Sequence, residues 1–219
     1  MESVGRIYAI GDIHGMLKNL LDALNFIRED AKEHMLPFSV VFLGDYVDRS
    51  QESREVVELV KHLTDSFSHY HAIKGNHEDM MVTFIESDGS QCPWWLPNGG
   101  TQTLNSYEGH GEILKEHVAW LKALPVRYDT EKYLFVHAGV DPMFPLDQQK
   151  EEVLMWTRRW NEFDELLTKH VVYGHTPFKK PLLKQNSSGI DTGACYGGSL
   201  TVAVFDAAAG GPPLKTVSF

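Results

Sequence analysis

The chain is short of cysteine, of basic residues and of long apolar runs, and each shortage removes a class of protein. Cys92 and Cys195 are the only cysteines in 219 residues. They lie far apart and form no CxxC pair, which excludes a disulfide framework and a thiolate zinc knuckle and leaves two reduced thiols of a cytosolic protein. Lys and Arg number 20 against 30 Asp and Glu, a net charge of -10. That balance excludes broad nucleic-acid binding, which needs a basic face, so any attraction for an anionic substrate must be local. No apolar stretch approaches the length of a bilayer span. The first apolar strand begins within a few residues of Met1, which leaves no room for a signal sequence with a basic start and an apolar core. The expectation is a cytoplasmic protein with neither membrane nor nucleic acid as partner. Internal repeats and low-complexity blocks are also lacking.

What is present is 42% hydrophobic residues in a chain long enough for one well-buried domain, taken as 1–219. Three β-rich runs each end in a glycine-containing polar cluster: "RIYAI" (6–10) before Gly11, "SVVFL" (39–43) before Gly44 and "YHAIK" (70–74) before Gly75. Leu17, Leu20, Leu21, Leu24 and Ile27 recur at helical spacing between the first two runs, and Val56, Val57, Val60 and Leu63 between the second and third. Strand, helix, strand, helix, strand predicts parallel βαβ units with ligands outside the carboxyl ends of the strands. Further strands are predicted in "KYLFVHAG" (132–139), "HVVYGH" (170–175) and "SLTVAVFDA" (199–207). Lacking strong helices between them, these are expected to form a second sheet, giving an α/β sandwich. The stretch 86–111 is rich in turn residues and aromatics, and reads equally as a rim over a site or as Trp94 and Trp95 covering one end of the core.

Five short motifs sit at strand ends: "GDIHG" (11–15), "GDYVDR" (44–49), "GNHE" (75–78), "VHAG" (136–139) and "YGHTP" (173–177). Singly each is ordinary turn chemistry. Together they put Asp12, His14, Asp45, Asn76, His137 and His175 beside glycines that let the backbone turn sharply. Carboxylate, amide and imidazole donors without thiolate suit Mn, Fe or Zn. Six donors exceed one tetrahedral site and suffice for two ions bridged by a carboxylate, about 3.5 to 4 Å apart. The remaining histidines, at 34, 62, 69, 71, 110, 117 and 170, lie outside the motifs and read as surface or helix residues.

In this order the motifs resemble the metallophosphoesterases of the phosphoprotein phosphatase family, and especially the short bacterial and phage serine/threonine phosphatases. The resemblance runs from Gly11 to about Ala194 and takes in "WLPNGG" (95–100) and "IDTGA" (190–194). It implies a calcineurin-like β-sandwich flanked by helices. It also implies that Asp12 and His14 hold one divalent metal ion, that Asp45 bridges, and that Asn76, His137 and His175 hold the other. Manganese is the first expectation, with iron or zinc as alternatives. His77 matches the family's general acid and Asp48 the carboxylate that orients it. Arg49 and Arg158 match arginines that grip phosphoryl oxygens, although Arg159 would take the second role after a one-residue slip.

The implied reaction is hydrolysis of phosphoserine or phosphothreonine, with phosphotyrosine as a further substrate. A water shared by two ions loses a proton near neutral pH and attacks phosphorus in line, without a phosphoenzyme. The alternative within the same fold is a symmetrical bis(5'-nucleosyl)-tetraphosphatase. Similar hydrolases of that kind lack the second Asp of "GDYVDR" and carry Asp after "GNH", whereas this chain has Asp48 and Glu78. The expected partner is a phosphorylated protein or a small phosphoester.

Overall fold

The structure is a computed structural model that describes residues 5–159 and 164–219. Two five-stranded sheets face each other. The first runs β10-β9-β1-β2-β3, from β1 (Arg6–Ile10), β2 (Phe38–Phe42), β3 (Tyr70–Ala72), β9 (Thr201–Asp206) and β10 (Lys215–Ser218). The second runs β4-β5-β6-β8-β7, from β4 (Arg127–Asp129), β5 (Tyr133–Val136), β6 (His170–Tyr173), β7 (Leu182–Leu183) and β8 (Ser187–Gly189). Each sheet has three parallel strands, β1-β2-β3 at one end of the first and β5-β6-β8 at the centre of the second, with antiparallel strands beside them.

Strands buried on both faces read as continuous apolar runs. In β1, Ile7 and Ala9 join the layer between the sheets, where Val41, Leu43, Tyr133, Phe135, Val172 and Phe205 also lie. Tyr8 and Ile10 point the other way, toward the helices. Those are α1 (Leu17–His34), α2 (Ser53–Ser66), α3 (Asn76–Glu86), α4 (Gly100–Ser106) and α5 (Gly111–Ala123). In α1 the buried Leu20, Ala23, Ile27 and Ala31 recur at three- and four-residue steps, one stripe of an amphipathic helix. A further helix, α6 (Glu151–Trp156), buries Leu154 against Leu134, Val136 and Val171 on the outer face of the second sheet. Asp30 of α1 is buried and accepts from Arg6 Nη1 at 2.6 Å and Tyr8 Oη at 2.7 Å, and pairs also with Lys215. One carboxylate thereby ties α1 to β1 and β10.

Two expectations need correction. The run 199–207 does not join the second sheet: its strand β9 pairs antiparallel with β1, with Ile7 opposite Phe205. The chain passes from β8 of the second sheet to β9 of the first, and the edge of β1 opposite β2 accepts it. His170 lies on a strand, neither at the surface nor on a helix, whereas His117 is the helix residue expected, turned inward. Both are buried, His170 on β6 with Nε2 2.8 Å from Ser188 Oγ, and His117 on α5 with Nδ1 2.8 Å from Tyr107 Oη. Among the described residues, no helix is long and apolar enough to cross a membrane.

Phe205 stands at the centre of the layer between the sheets, fully buried, with its ring 5.1 Å from Tyr133 and 6.2 Å from Phe135. Phe205→Ala should cost about 3 to 5 kcal/mol of stability in urea unfolding. A loss below about 1 kcal/mol would mean that the two sheets do not share this core.

Candidate active site

Each motif leaves its strand at the carboxyl end. β1 runs into Asp12 and His14, β2 into Asp45, β3 into Asn76 at the first turn of α3, β5 into His137, and β6 into His175. All six are buried. Asp45 is at the centre: His14 Nε2 lies 3.4 Å and His77 Nε2 3.9 Å from its Oδ2, and His137 Nε2 lies 3.3 Å from its Oδ1. Two groups of metal-type donors result, His14 with Asp45 and His77, and Asp45 with His137 and His175, each with its atoms within 4.8 Å of one another. Asp45 belongs to both. Asn76 Oδ1 completes the second group, 2.8 Å from His137 Nε2 and 3.0 Å from His175 Nδ1. Asp12 is placed through the backbone, its oxygens accepting from His175 N–H at 3.1 and 3.0 Å.

The backbone is bent to achieve this. His14, Asp45, Asp48, Arg49 and His175 all have positive φ, between 46° and 76°. Non-glycine residues rarely do so, at roughly 1 to 3 kcal/mol each, and such strain gathers where function demands a side-chain direction. Glu78 holds the sharpest bend in place. Its Oε2 accepts from Asp45 N at 2.8 Å and Gly75 N at 2.9 Å, and its Oε1 from Tyr46 N at 2.7 Å and Val47 N at 3.3 Å. A Cβ on Gly75 would stand 2.3 Å from Asp45 Oδ1, so only glycine lets the two loops meet.

The donors fit a divalent ion on three grounds. His14 Nδ1 lies 2.7 Å from Val47 O and His137 Nδ1 2.8 Å from Leu43 O. A carbonyl only accepts, so each Nδ1 carries the proton; His14 Nε2 then presents a lone pair, and His137 Nε2, which in the protein alone donates to Asn76 Oδ1, would present one once a cation displaced that proton. Burial pushes His14 down to about 3 against the pull of Asp45, and pushes His175 down to about 3 with His137 adding to the effect, so both are neutral as ligands must be. Finally, His175 Nε2 is buried and makes no hydrogen bond.

The electrostatics ask for a cation as well. Burial works against the Asp45 charge, yet His137 and His77 hold its carboxyl well below the usual range. Burial also works against a proton on His137, but Asp45 and Asp12 raise it to about 10. Asp12, pressed by burial and by the neighbouring Asp191, is pushed well above the usual carboxyl range. In the protein alone, protons supply the positive charge that this cluster of carboxylates needs; a metal ion would displace them.

Beside the donors sits a histidine on a carboxylate: His77 Nδ1 is 2.5 Å from Asp48 Oδ2, with both side chains buried. Arg49 spans the cleft, donating from Nη1 to His14 Nε2 at 3.1 Å and from Nη2 to His77 Nε2 at 3.0 Å. Arg158 is exposed at the rim, its Nη1 3.3 Å from Thr176 Oγ1, next to His175, while Arg159 is also exposed. Arg49, and not Arg158, is therefore the arginine brought among the donors.

Other residues at the site carried no catalytic or binding expectation of their own. Tyr196 lies over the Arg49 guanidinium at 4.9 Å, and Cys195 Sγ is 3.9 Å from Arg49 Nη1. Asp191 is buried beside Asp12. Trp95 is fully buried and donates from its indole to Asp48, while Trp94 is 60% exposed, so the two halves of the Trp94-Trp95 pair do different things. The quoted stretches "WLPNGG" and "IDTGA" were the available signal, but neither assigned a contact.

Residues 5–205 match the calcineurin-like phosphoesterase family, and the chain belongs to it. It is a metallophosphoesterase. It is similar to "Serine/threonine-protein phosphatase 1" of Salmonella typhimurium, 30% identical over 90% of each chain. It is also similar to the "Bis(5'-nucleosyl)-tetraphosphatase PrpE [asymmetrical]" of Halalkalibacterium halodurans, 26% identical over 90% of this chain and 88% of that one. Among solved structures, a protein serine/threonine phosphatase from Saccharomyces cerevisiae superposes with a TM-score of 0.67 at 17% identity, covering 98% of this chain and 79% of that one. A cold-active protein-tyrosine phosphatase of a Shewanella species does so at 0.65 and 17%, covering 99% and 80%. These two share the fold.

Glu78→Gln keeps the shape but sets an amide N–H₂ against backbone N–H groups. It should lower stability by about 3 kcal/mol in urea unfolding, since hydrogen bonds to a charge are the costly ones to lose. Unchanged stability would show that the bend at Asp45 holds without this carboxylate.

Proposed function

We propose that this chain is a phosphomonoesterase acting on phosphoserine and phosphothreonine in proteins, with two divalent ions, manganese first, and phosphotyrosine as a further substrate. The observation that carries this reading is the His77–Asp48 pair beside the donor groups. A serine or threonine alkoxide is a poor leaving group, and a buried histidine steadied by a carboxylate is suited to protonate it as the P–O bond breaks.

His14, Asp45 and Asp12 would hold one ion, and Asn76, His137 and His175 the other, with Asp45 shared. The ions would supply activation of water and charge compensation at the phosphoryl group. The remaining work falls to the chain. Arg49 offers two N–H donors in one plane, matched to two phosphoryl oxygens, and its exposed stacking partner Tyr196 keeps it across the cleft. Arg158 at the rim adds a second positive group for the phosphate or for acidic residues of a peptide. Once Arg49 turns its N–H groups from the imidazoles to the phosphoryl oxygens, His77 Nε2 is free to take a proton from solvent and give it to the leaving oxygen, and Asp48 keeps the Nδ1 proton in place, so the imidazole ends the step neutral and aimed as before.

The second reading, hydrolysis of a dinucleoside tetraphosphate, is favoured by the relatives at 26% identity, which are asymmetrical enzymes and not of the symmetrical kind that the motifs resemble. Against it stands the acid: a departing nucleotide leaves as a stable phosphate anion and gains little from a proton.

Side-by-side hydrolysis of a phosphoserine peptide and of diadenosine tetraphosphate with manganese should give the higher kcat/KM for the peptide. The reverse order would replace the substrate. His77→Asn should keep manganese binding in calorimetry and lose about 100- to 10,000-fold in turnover on the peptide. Asp12→Ala should weaken manganese binding itself. Parental turnover by His77→Asn on the peptide would remove the acid from the mechanism.

A further inference from the structure

The carboxylate of Asp48 is 0% exposed, so water cannot steady it, and the protein must provide every donor. His77 provides one, at Oδ2. The others come from a separate part of the chain, the turn Pro93–Asn98 and helix α4. Trp95 Nε1 donates to both oxygens, 3.0 Å from Oδ1 and 2.8 Å from Oδ2. Thr103 Oγ1 donates to Oδ1 at 2.7 Å and accepts from the Asp48 backbone N–H at 2.8 Å. An indole N–H has one proton and no acceptor, and a hydroxyl has one proton. Both are committed to Asp48. The Oδ1 side is thus filled by Thr103, the gap between the oxygens by Trp95, and Oδ2 is left facing His77.

Two glycines make this approach feasible. A Cβ on Gly99, whose φ is +117°, would meet Arg49 N at 2.7 Å and Asp48 Cβ at 2.9 Å. One on Gly100 would meet the Trp95 ring at 2.5 Å. The segment also bonds directly to the Asp48–Arg49 turn, through Arg49 N to Gly99 O at 3.3 Å. "WLPNGG" and Thr103 therefore form a buttress under Asp48 and Arg49. It holds two successive residues whose positive φ the backbone would not keep unaided.

The geometry points to Trp95 and Thr103 as positioning residues for catalysis: their N–H and O–H fix the Asp48 carboxylate in the one rotation that aims His77 at the leaving oxygen. This rests on the reading of His77 as the general acid. It goes beyond that reading because neither residue touches the cleft: Trp95 and Thr103 are both 0% exposed. Loss of either donor leaves Asp48 free to rotate and His77 free to turn with it. Proton delivery then suffers, while phosphate binding and water attack do not.

The leaving group separates this role from a merely structural one. An alkoxide from phosphoserine needs the proton, and the phenolate from p-nitrophenyl phosphate hardly does. Trp95→Phe and Thr103→Val, each with manganese, should lose about 10- to 100-fold in kcat on a phosphoserine peptide, part of the full effect of an acid. On p-nitrophenyl phosphate both should stay within about 3-fold of the parent, since the acid contributes little there. Thr103→Ser, which keeps the hydroxyl, should restore the peptide rate. Manganese affinity by calorimetry should be unchanged in all three. If Trp95→Phe does not fold, the Thr103→Val and Thr103→Ser pair decides alone. Equal losses on both substrates, or none, would overturn the inference. His77→Asn run in parallel keeps the two readings apart. If it shows the leaving-group difference and the buttress variants do not, only the buttress fails; if it shows none, the acid reading fails and takes the buttress with it.

Discussion

An ionised carboxylate enclosed by protein is the constraint on which this structure turns. Asp45 is 2% exposed, with imidazoles of His14, His77 and His137 between 3.3 and 3.9 Å away. Such a charge is stable only if positive groups and hydrogen bonds replace the water it has lost. Much of the surrounding architecture answers that requirement. Parallel strands β1, β2 and β3 deliver their ends side by side, so that residues far apart in sequence meet without long loops. Glu78 gathers four backbone N–H groups of the neighbouring turns and so fixes the direction of the Asp45 side chain. The glycines at 44 and 75 allow the two turns to touch.

The same arrangement reconciles an acidic protein with an anionic substrate. Most of the acidic side chains behind the net charge of -10 are not buried, and water screens them. Inside the cleft the field is set by what lies within a few ångströms. There, Arg49 lies across the donors, Arg158 stands at the rim, and any bound cations would add to both. A small enclosed site is governed by its nearest charges, so the sign of the whole molecule does not decide what binds.

Which residues gather at the strand ends was more legible in the sequence than which strands pair, and the reason is physical. A residue that must leave a strand and turn at once needs a glycine beside it, so Asp12, Asp45, Asn76, His137 and His175 carry their own punctuation. Strand pairing carries none. Thr201–Asp206 reads as an apolar run whichever sheet receives it, and only the vacant edge of β1 decided the matter. Donors such as Trp95 and Thr103 were hidden for a related reason: a buried indole looks like core until the carboxylate that faces it is known. Glu78 sat within a recognised motif, yet its four backbone partners come from turns at 45–47 and 75, a convergence that linear spacing does not express.

The degree to which Asp48 is fixed also bears on the chemistry. Enclosing a carboxylate completely, and binding it to an indole, a hydroxyl and an imidazole, is an expensive arrangement for a group that touches no substrate. It makes physical sense where the rate depends on a proton arriving at one atom in one direction. Cleavage to an alkoxide has that dependence; cleavage to a nucleotide, whose charge is already spread over phosphate oxygens, has much less. Two hydrolases with the same metal donors can therefore differ in how firmly the acid is held. The proposed preference of this chain for a serine or threonine phosphate over a dinucleotide rests on the firmness of that hold more than on the donors themselves.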